Sequence, residues 1–231
     1  MGRLAIISDL HADVHALRDA LVEIERLRCD AVVCAGDIID YGRFPEETIA
    51  LLRDCRIPTI RGNHDRSAVR ENKADLSQRA ITFLGCLPLA WGASIDGVRV
   101  AVHHGRPGSD LDGIDPNVTK ADADALLEDG ACDVLVVGHT HVAFERRVAE
   151  GRMVCNPGAL LRDPTDRREV PARGTFGVLD LPSCTFRIHA AATGHVVRHR
   201  RDGGEVLRAA GPQGRERPPR TLPAPGTRVA S

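Results

Sequence analysis

The chain has 231 residues, a formal net charge of -1 and a hydrophobic fraction of 42%. That length allows one domain of ordinary size with a tail, and the apolar content supplies a core, which excludes a disordered chain. The near-zero charge and the 3% aromatic content leave no electrostatic or stacking footprint for nucleic acid or an anionic membrane, and no run of 18 apolar residues is present to span a bilayer.

Residues 4–8 form a short apolar run, predicted as a strand buried on both faces, and residues 1–8 do not read as a signal peptide. Asp13 stands where an N-cap would. Val14, Leu17, Leu21, Ile24 and Leu27 then recur at helical steps. Residues 31–34 predict a second strand, and residues 45–54 a helix that opens on Pro45. Residues 58–60 predict a third strand. This alternation implies parallel strands with helices packed on them. Asp96-Gly97 between two alternating runs is a hairpin signal, with 98–103 as the returning strand. A helix is predicted over 120–128 and a buried strand over 134–137. Further strands are predicted over 144–148, 153–155, 176–181 and 185–190. The expected fold is α/β, a four-layer α-β-β-α sandwich of two mixed sheets flanked by helices. The domain is expected over 1–200. Residues 201–231, rich in Arg, Gly and Pro, are expected to be a mobile tail.

The seven cysteines are odd in number and include no CxxC pair, so they read as free thiols of a cytoplasmic protein and not as a zinc site. The chemistry instead gathers at the strand ends. Asp9-Leu10-His11 follows the first strand, Gly36-Asp37 the second and Gly62-Asn63-His64-Asp65 the third. His103-His104-Gly105 closes the fourth, and Gly138-His139-Thr140-His141 the fifth. Open α/β sheets bind ligands at the carboxyl ends of their strands, and alternate residues on extended chain point the same way. A lone His at a strand end is more often structural. Five chemically loaded ends together point to a metal centre. The donors are oxygen and imidazole without thiolate, which suits Mn, Fe, Zn, Co or Ni. Two cations there would need a bridging carboxylate, for which Asp37 is the candidate.

The series DxH, GD, GNHD, HG, GHTH resembles the calcineurin-like metallophosphoesterase superfamily. Asn156-Pro157-Gly158 with Arg162 resembles its small single-domain bacterial and archaeal phosphodiesterase branch. The resemblance implies a dinuclear phosphoesterase that hydrolyses phosphodiesters or phosphomonoesters by in-line attack of a metal-bound hydroxide. It implies one metal on Asp9, His11 and His141, and a second on Asn63, His104 and His139, with Asp37 shared and manganese the leading metal. His104 is chosen over His103 because it directly precedes Gly105. His64 would be the general acid. Asp40 would either orient His64 or be a loop carboxylate in solvent. Arg43, Arg61, Arg66 and Arg162 are within the motifs' neighbourhood, each more readily a surface or structural arginine than a phosphate ligand. His15, His189, His195 and His199 fall outside the motifs. Ala12-Asp13 departs from the family's usual Gly-Asn, which bears on metal preference and rate. The expected partner is a small phosphoester, with no membrane and no nucleic acid. Alternatives are a protein serine/threonine phosphatase-like activity, suggested by Arg61-Gly62-Asn63-His64, or a non-catalytic scaffold on the same fold.

Overall fold

The computed structural model describes residues 2–162 and 174–197, together with the backbone of 200–201 and 205–206. Two mixed sheets lie between layers of helix. In the first, β1 (Arg3–Ile7) pairs in parallel with β2 (Ala31–Cys34) and antiparallel with β8 (Thr175–Asp180), which carries β9 (Thr185–Ala190) on its other side. The second has the order β11-β10-β6-β7-β5-β4-β3. It is built from β3 (Ala90–Ile95), β4 (Val98–His103), β5 (Val134–Val136), β6 (Phe144–Ala149), β7 (Arg152–Asn156), β10 (Arg200–Arg201) and β11 (Glu205–Val206). β4, β5 and β7 run parallel. No helix among the described residues is long and apolar enough to cross a membrane.

The side-chain period of two assembles the layers. Leu4 and Ile6 of β1 point between the sheets, onto Val102, Val136, Met153 and Phe186. Ala5 and Ile7 point the other way, onto Leu17 and Ile24 of α1 (Val14–Arg26), Ile49 and Leu52 of α2 (Pro45–Asp54), Ala68 of α3 (Asn63–Glu71) and Leu84 of α4 (Gln78–Gly85). Leu135 on β5 faces outward and packs with Ala123, Leu126 and Leu127 of α5 (Lys120–Asp129). Burying such an aliphatic side chain stabilises by roughly 1.5–3 kcal/mol, so three apolar layers hold the four structural ones.

Local signals fix most ends. The Asp13 side chain accepts from Ala16 N, Ser77 from Ala80 N and Thr119 from Asp122 N, each capping a helix. Asp96 (φ 49°) and Gly97 (φ 83°) make the tight turn of the β3–β4 hairpin. The strand expected over 58–60 is reduced to one parallel bridge, Cys34 to Thr59. The chain enters α3 three residues after Ile60, and so leaves no room for a ladder. Helices α3 and α4 were not anticipated. Sheet pairing continues past the boundary expected at 200, because β10 pairs with β6 and β11 with β10. Residues 207–231, most of the expected tail, lie outside the described residues.

A candidate metal centre at the strand ends

The parallel strands β1, β2, β4 and β5 end on the same rim, where the expected ligands converge. Asp9, His11, Asp37 and His141 form one group whose donor atoms all lie within 4.8 Å of one another, and Asp37, His104 and His139 form a second. Asn63 joins the second group: its Oδ1 is 3.0 Å from His104 Nε2 and 2.9 Å from His139 Nδ1. Asp37 is common to both, with Oδ2 3.2 Å from His104 Nε2 and 3.8 Å from His11 Nε2.

The backbone bends sharply to bring these side chains together. Asp9, His11, Ala12, Asp37, Asp40, Tyr41, His139 and His141 all have φ between 46° and 84°. Non-glycine residues held there cost on the order of 1–3 kcal/mol each, a concentration of strain that marks a functional site. Two glycines permit the close approach. A Cβ on Gly62 would lie 2.1 Å from Asp37 Oδ1, and one on Gly138 2.1 Å from Ser8 Oγ.

Each donor is held by further bonds. Ser8 Oγ donates to Asp9 Oδ2 at 2.6 Å, and the His139 backbone N–H donates to the same carboxylate. The His64 backbone N–H donates to Asp37 Oδ1 at 3.0 Å. His11 Nδ1–H donates to Ile39 O, and His104 Nδ1–H to Ala35 O at 2.8 Å. These bonds direct Nε2 of both rings into the centre, the second contact that orients metal-ligating histidines.

The residues present fit divalent cations. Burial presses the His11 imidazole down to about 4 against the pull of Asp37 and Asp9, so it is neutral with its Nε2 lone pair free to ligate. That nitrogen lies 3.0 Å from His141 Nε2. Two imidazole nitrogens bound at ~2.0–2.1 Å to one ion sit about 3 Å apart at a right-angled bite. Burial alone would raise the Asp9 and Asp37 carboxyls, yet the surrounding histidines hold both below the usual range. Burial also opposes a charge on His104, but Asp37 and Asp9 outweigh it and push the imidazole up to about 10. Two fully buried carboxylates thus draw positive charge inward, as a cation site does.

His64 stands beside these two donor groups and not among them. Its Nδ1 is 2.7 Å from Asp40 Oδ2, and its Nε2 is 3.2 Å from the Tyr41 hydroxyl. Asp40 also accepts from Lys73 Nζ at 2.9 Å. Burial works to raise the Asp40 carboxyl, but Lys73, His64 and the Tyr41 N–H bring it down to about 2. Of the two readings open for Asp40, the structure places it on His64. Tyr41 and Lys73 carried no sequence signal, because they meet the site only through the strained turn after Asp37 and through α3. Asp65 was visible within its motif but had no assigned role. Its Oδ1 accepts from Ile38 N and Ile39 N and its Oδ2 from Gly62 N, which clamps the Asp37 loop to the Asn63 loop.

Asp13 faces away from the centre. It caps α1, accepts from Arg162 N and lies 3.6 Å from the Arg162 guanidinium, which also binds Asp19. The adjacent Ala12 sits at φ 60°, where the family's usual glycine would be unstrained. Arg43 is exposed, whereas Arg61 and Arg66 line a cavity of about 240 Å³ beside His104, with His103, Leu89 and Ser109. His15 meets Phe44 edge-on and His189 stacks on Phe176; His199 lies outside the described residues. Asn156 donates to Gly138 O at 2.7 Å and so braces the loop that carries His139 and His141. The seven cysteines are free thiols.

A family model described as the calcineurin-like phosphoesterase superfamily domain matches residues 3–183. The protein MJ0912 of Methanocaldococcus jannaschii is 26% identical over 192 residues, covering 75% of this chain and 76% of that protein. A metallophosphoesterase from Sphaerobacter thermophilus superposes with a TM-score of 0.65 at 24% identity, covering 81% of this chain and 87% of its own. Protein PH1004 from Pyrococcus horikoshii superposes at 0.68 with 16% identity, over 82% and 88% of the two chains. YfcE, a phosphoesterase from E. coli, gives 0.55 at 18% identity, over 84% and 96%.

Proposed function

This chain belongs to the calcineurin-like phosphoesterase superfamily, a family of metal-dependent phosphoric ester hydrolases, and on that premise we propose that it hydrolyses phosphodiesters or phosphomonoesters at a dinuclear centre. The observation that carries the reading is the position of Asp37, within reach of both donor groups. Asp9, His11 and His141 would hold one ion, Asn63, His104 and His139 the other, and Asp37 both. Two such ions supply neutralisation of the phosphoryl oxygens and activation of a water at neutral pH. The oxygen and imidazole donor set supports manganese first, with iron, zinc, nickel or cobalt as alternatives.

The chain's own residues do the rest. Asp9 and Asp37 put two negative charges in a dry pocket, which sets its preference for divalent ions. Asp40 accepts from Nδ1–H and directs the His64 ring, so that Nε2 of its imidazolium form would be the nitrogen that gives a proton to the departing alkoxide. The presence of all the donors, with Asp9, His11, Asp37, His104 and His141 buried and Asn63 and His139 half-buried, supports the enzyme over the scaffold reading.

The test uses manganese-loaded protein with bis(p-nitrophenyl) phosphate and p-nitrophenyl phosphate, alongside esters of poorer leaving groups. His64→Ala is expected to keep the metal content and to slow turnover most for the poor leaving groups. An equal loss for good and poor ones removes His64 as the acid, and absence of metal-dependent turnover removes the proposal.

A further inference from the structure

The cavity of about 240 Å³ beside the metal centre has no part in the chemistry proposed above. Of the seven expected ligands, His104 alone lines it, and neither His64 nor His11 does. Those two lie together at the other donor group: the His64 ring meets that of His11 edge-on, with centroids 5.1 Å apart. A diester bound with its leaving oxygen toward His64 therefore turns its retained substituent toward the His104 side, where the cavity lies.

Besides its histidines, the charged residues of the cavity are Arg61, Arg66 and Asp110. Asp110 Oδ2 is 3.2 Å from Arg66 Nε, so those two charges offset each other. Arg61 is left over. Its Nε is buried without a hydrogen-bond partner, and its guanidinium has no carboxylate within ion-pair distance among the described residues. The residue is held firmly all the same. Its N–H donates to Pro88 O at 2.8 Å, and it stands between the fully buried Ile60 and Gly62, which packs against Asp37. A half-buried cation without a counter-charge costs stability, and so needs a reason other than packing. On the same wall, Ser109 Oγ accepts from Leu111 N and Asp112 N, which leaves its hydroxyl proton to donate. A guanidinium and a hydroxyl, both short of an acceptor, are what an oxyanion would satisfy. The planar fork of arginine matches the paired oxygens of phosphoryl and carboxylate groups.

We infer that Arg61 receives a second oxyanion of the substrate, carried on the ester substituent that is retained. The favoured substrates are phosphodiesters whose retained group bears a phosphoryl or carboxylate group. Asp110 limits the site by keeping Arg66 engaged. The inference rests on the reading of the centre as a phosphoesterase with His64 on the leaving side.

The experiment compares p-nitrophenyl diesters that share a leaving group and differ in the retained substituent: propyl, carboxypropyl or phosphonopropyl. It measures kcat/KM for manganese-loaded wild-type protein, Arg61→Met and Asp110→Asn at one ionic strength, together with calorimetric binding of phosphonobutyrate against propylphosphonate. In the wild type an anionic ester is expected to exceed the propyl ester about tenfold, the size of one charge-assisted contact; the two anionic arms tell which oxyanion the site takes. Arg61→Met is expected to bring that ratio near one. Asp110→Asn is expected to raise it, because Arg66 is released to the ligand. Absence of an anionic preference in the wild type overturns the inference. So does an equal loss on all esters in Arg61→Met, which would put Arg61 on the scissile phosphoryl group. Ratio changes of the same sign in the two variants overturn it as well, since a general folding defect would act that way. Absence of turnover with every ester is instead the failure of the hydrolase reading; the preference for phosphonobutyrate over propylphosphonate, and its loss in Arg61→Met, then decides the role of Arg61.

Discussion

Asp65→Asn exchanges one oxygen of a fully buried carboxylate for an amide group that can only donate. The native side chain accepts three backbone N–H groups: Ile38 at 2.9 Å and Ile39 at 3.3 Å on Oδ1, and Gly62 at 2.9 Å on Oδ2. Whichever way the new amide turns, at least one of these donors faces an NH2. Burial and the neighbouring Asp37 push the carboxyl up from 3.8 to about 7, so its charge opposes folding as pH rises through that window, and the amide removes that opposition. At pH 4 the folded carboxyl is neutral and the lost bond is read alone. A buried donor stripped of its acceptor costs about 1–3 kcal/mol, so we expect a loss of about 1–3 kcal/mol there, narrowing toward neutral pH. At roughly 2–4 °C per kcal/mol for a domain of this size, the melting temperature at pH 4 falls by about 2–12 °C. The assay is unfolding at pH 4 in EDTA, so that metal release does not enter. The same variant should bind manganese more weakly, since the clamp aligns Asp37 with Asn63. A stability change below about 0.5 kcal/mol would show that the three bonds do not hold the loops together.

Asp13→Ala is expected to lose about 0.5–2 kcal/mol of stability, the usual value of an N-cap, while its metal content stays that of the wild type. A drop in bound metal would mean that Asp13 faces the centre after all. Lys73→Met removes the cation on Asp40 but leaves the 2.7 Å bond from Asp40 to His64. It should slow turnover of poor leaving groups less than Asp40→Ala does, and the reverse order would take Asp40 out of its positioning role. For pH, the folded-state value of Asp40 is depressed from 3.8 to about 2. Its contribution to stability is complete above the ordinary carboxylate range and is lost as pH falls through that window. The stability curves of wild type and Asp40→Asn should run parallel at neutral pH and converge only in acid; convergence near neutrality would contradict the ion pairing seen here.

Much of this was readable because two short-range patterns coincide. Continuous apolar runs marked β1 and β2, alternation about Asp96-Gly97 marked the β3–β4 hairpin, and each of the five loaded strand ends carried a donor within a few residues. Asp9, His11, Asp37, Asn63, His104, His139 and His141 were therefore visible as a set, and the structure brings them together. Helix α3 was hidden because its sequence has no apolar stripe: the residues it buries are Asp65 and Ala68. So short a helix is held by tertiary bonds and not by propensity. Helix α4 left a weak signal in Ser77 followed by Ala80, Ile81 and Leu84. The residues around His64 left none. Lys73 is 33 positions from Asp40, and Tyr41 reaches His64 only because two consecutive non-glycine residues adopt positive φ, which no periodicity encodes.

The central claim is that one carboxylate, Asp37, serves two ions. Metal content by mass spectrometry of manganese-loaded protein, with turnover measured on the same samples, tests it most directly. The account predicts two ions per chain in the wild type, and loss of at least one together with activity in Asp37→Asn. A single ion in the wild type, or full occupancy in the variant, would contradict it.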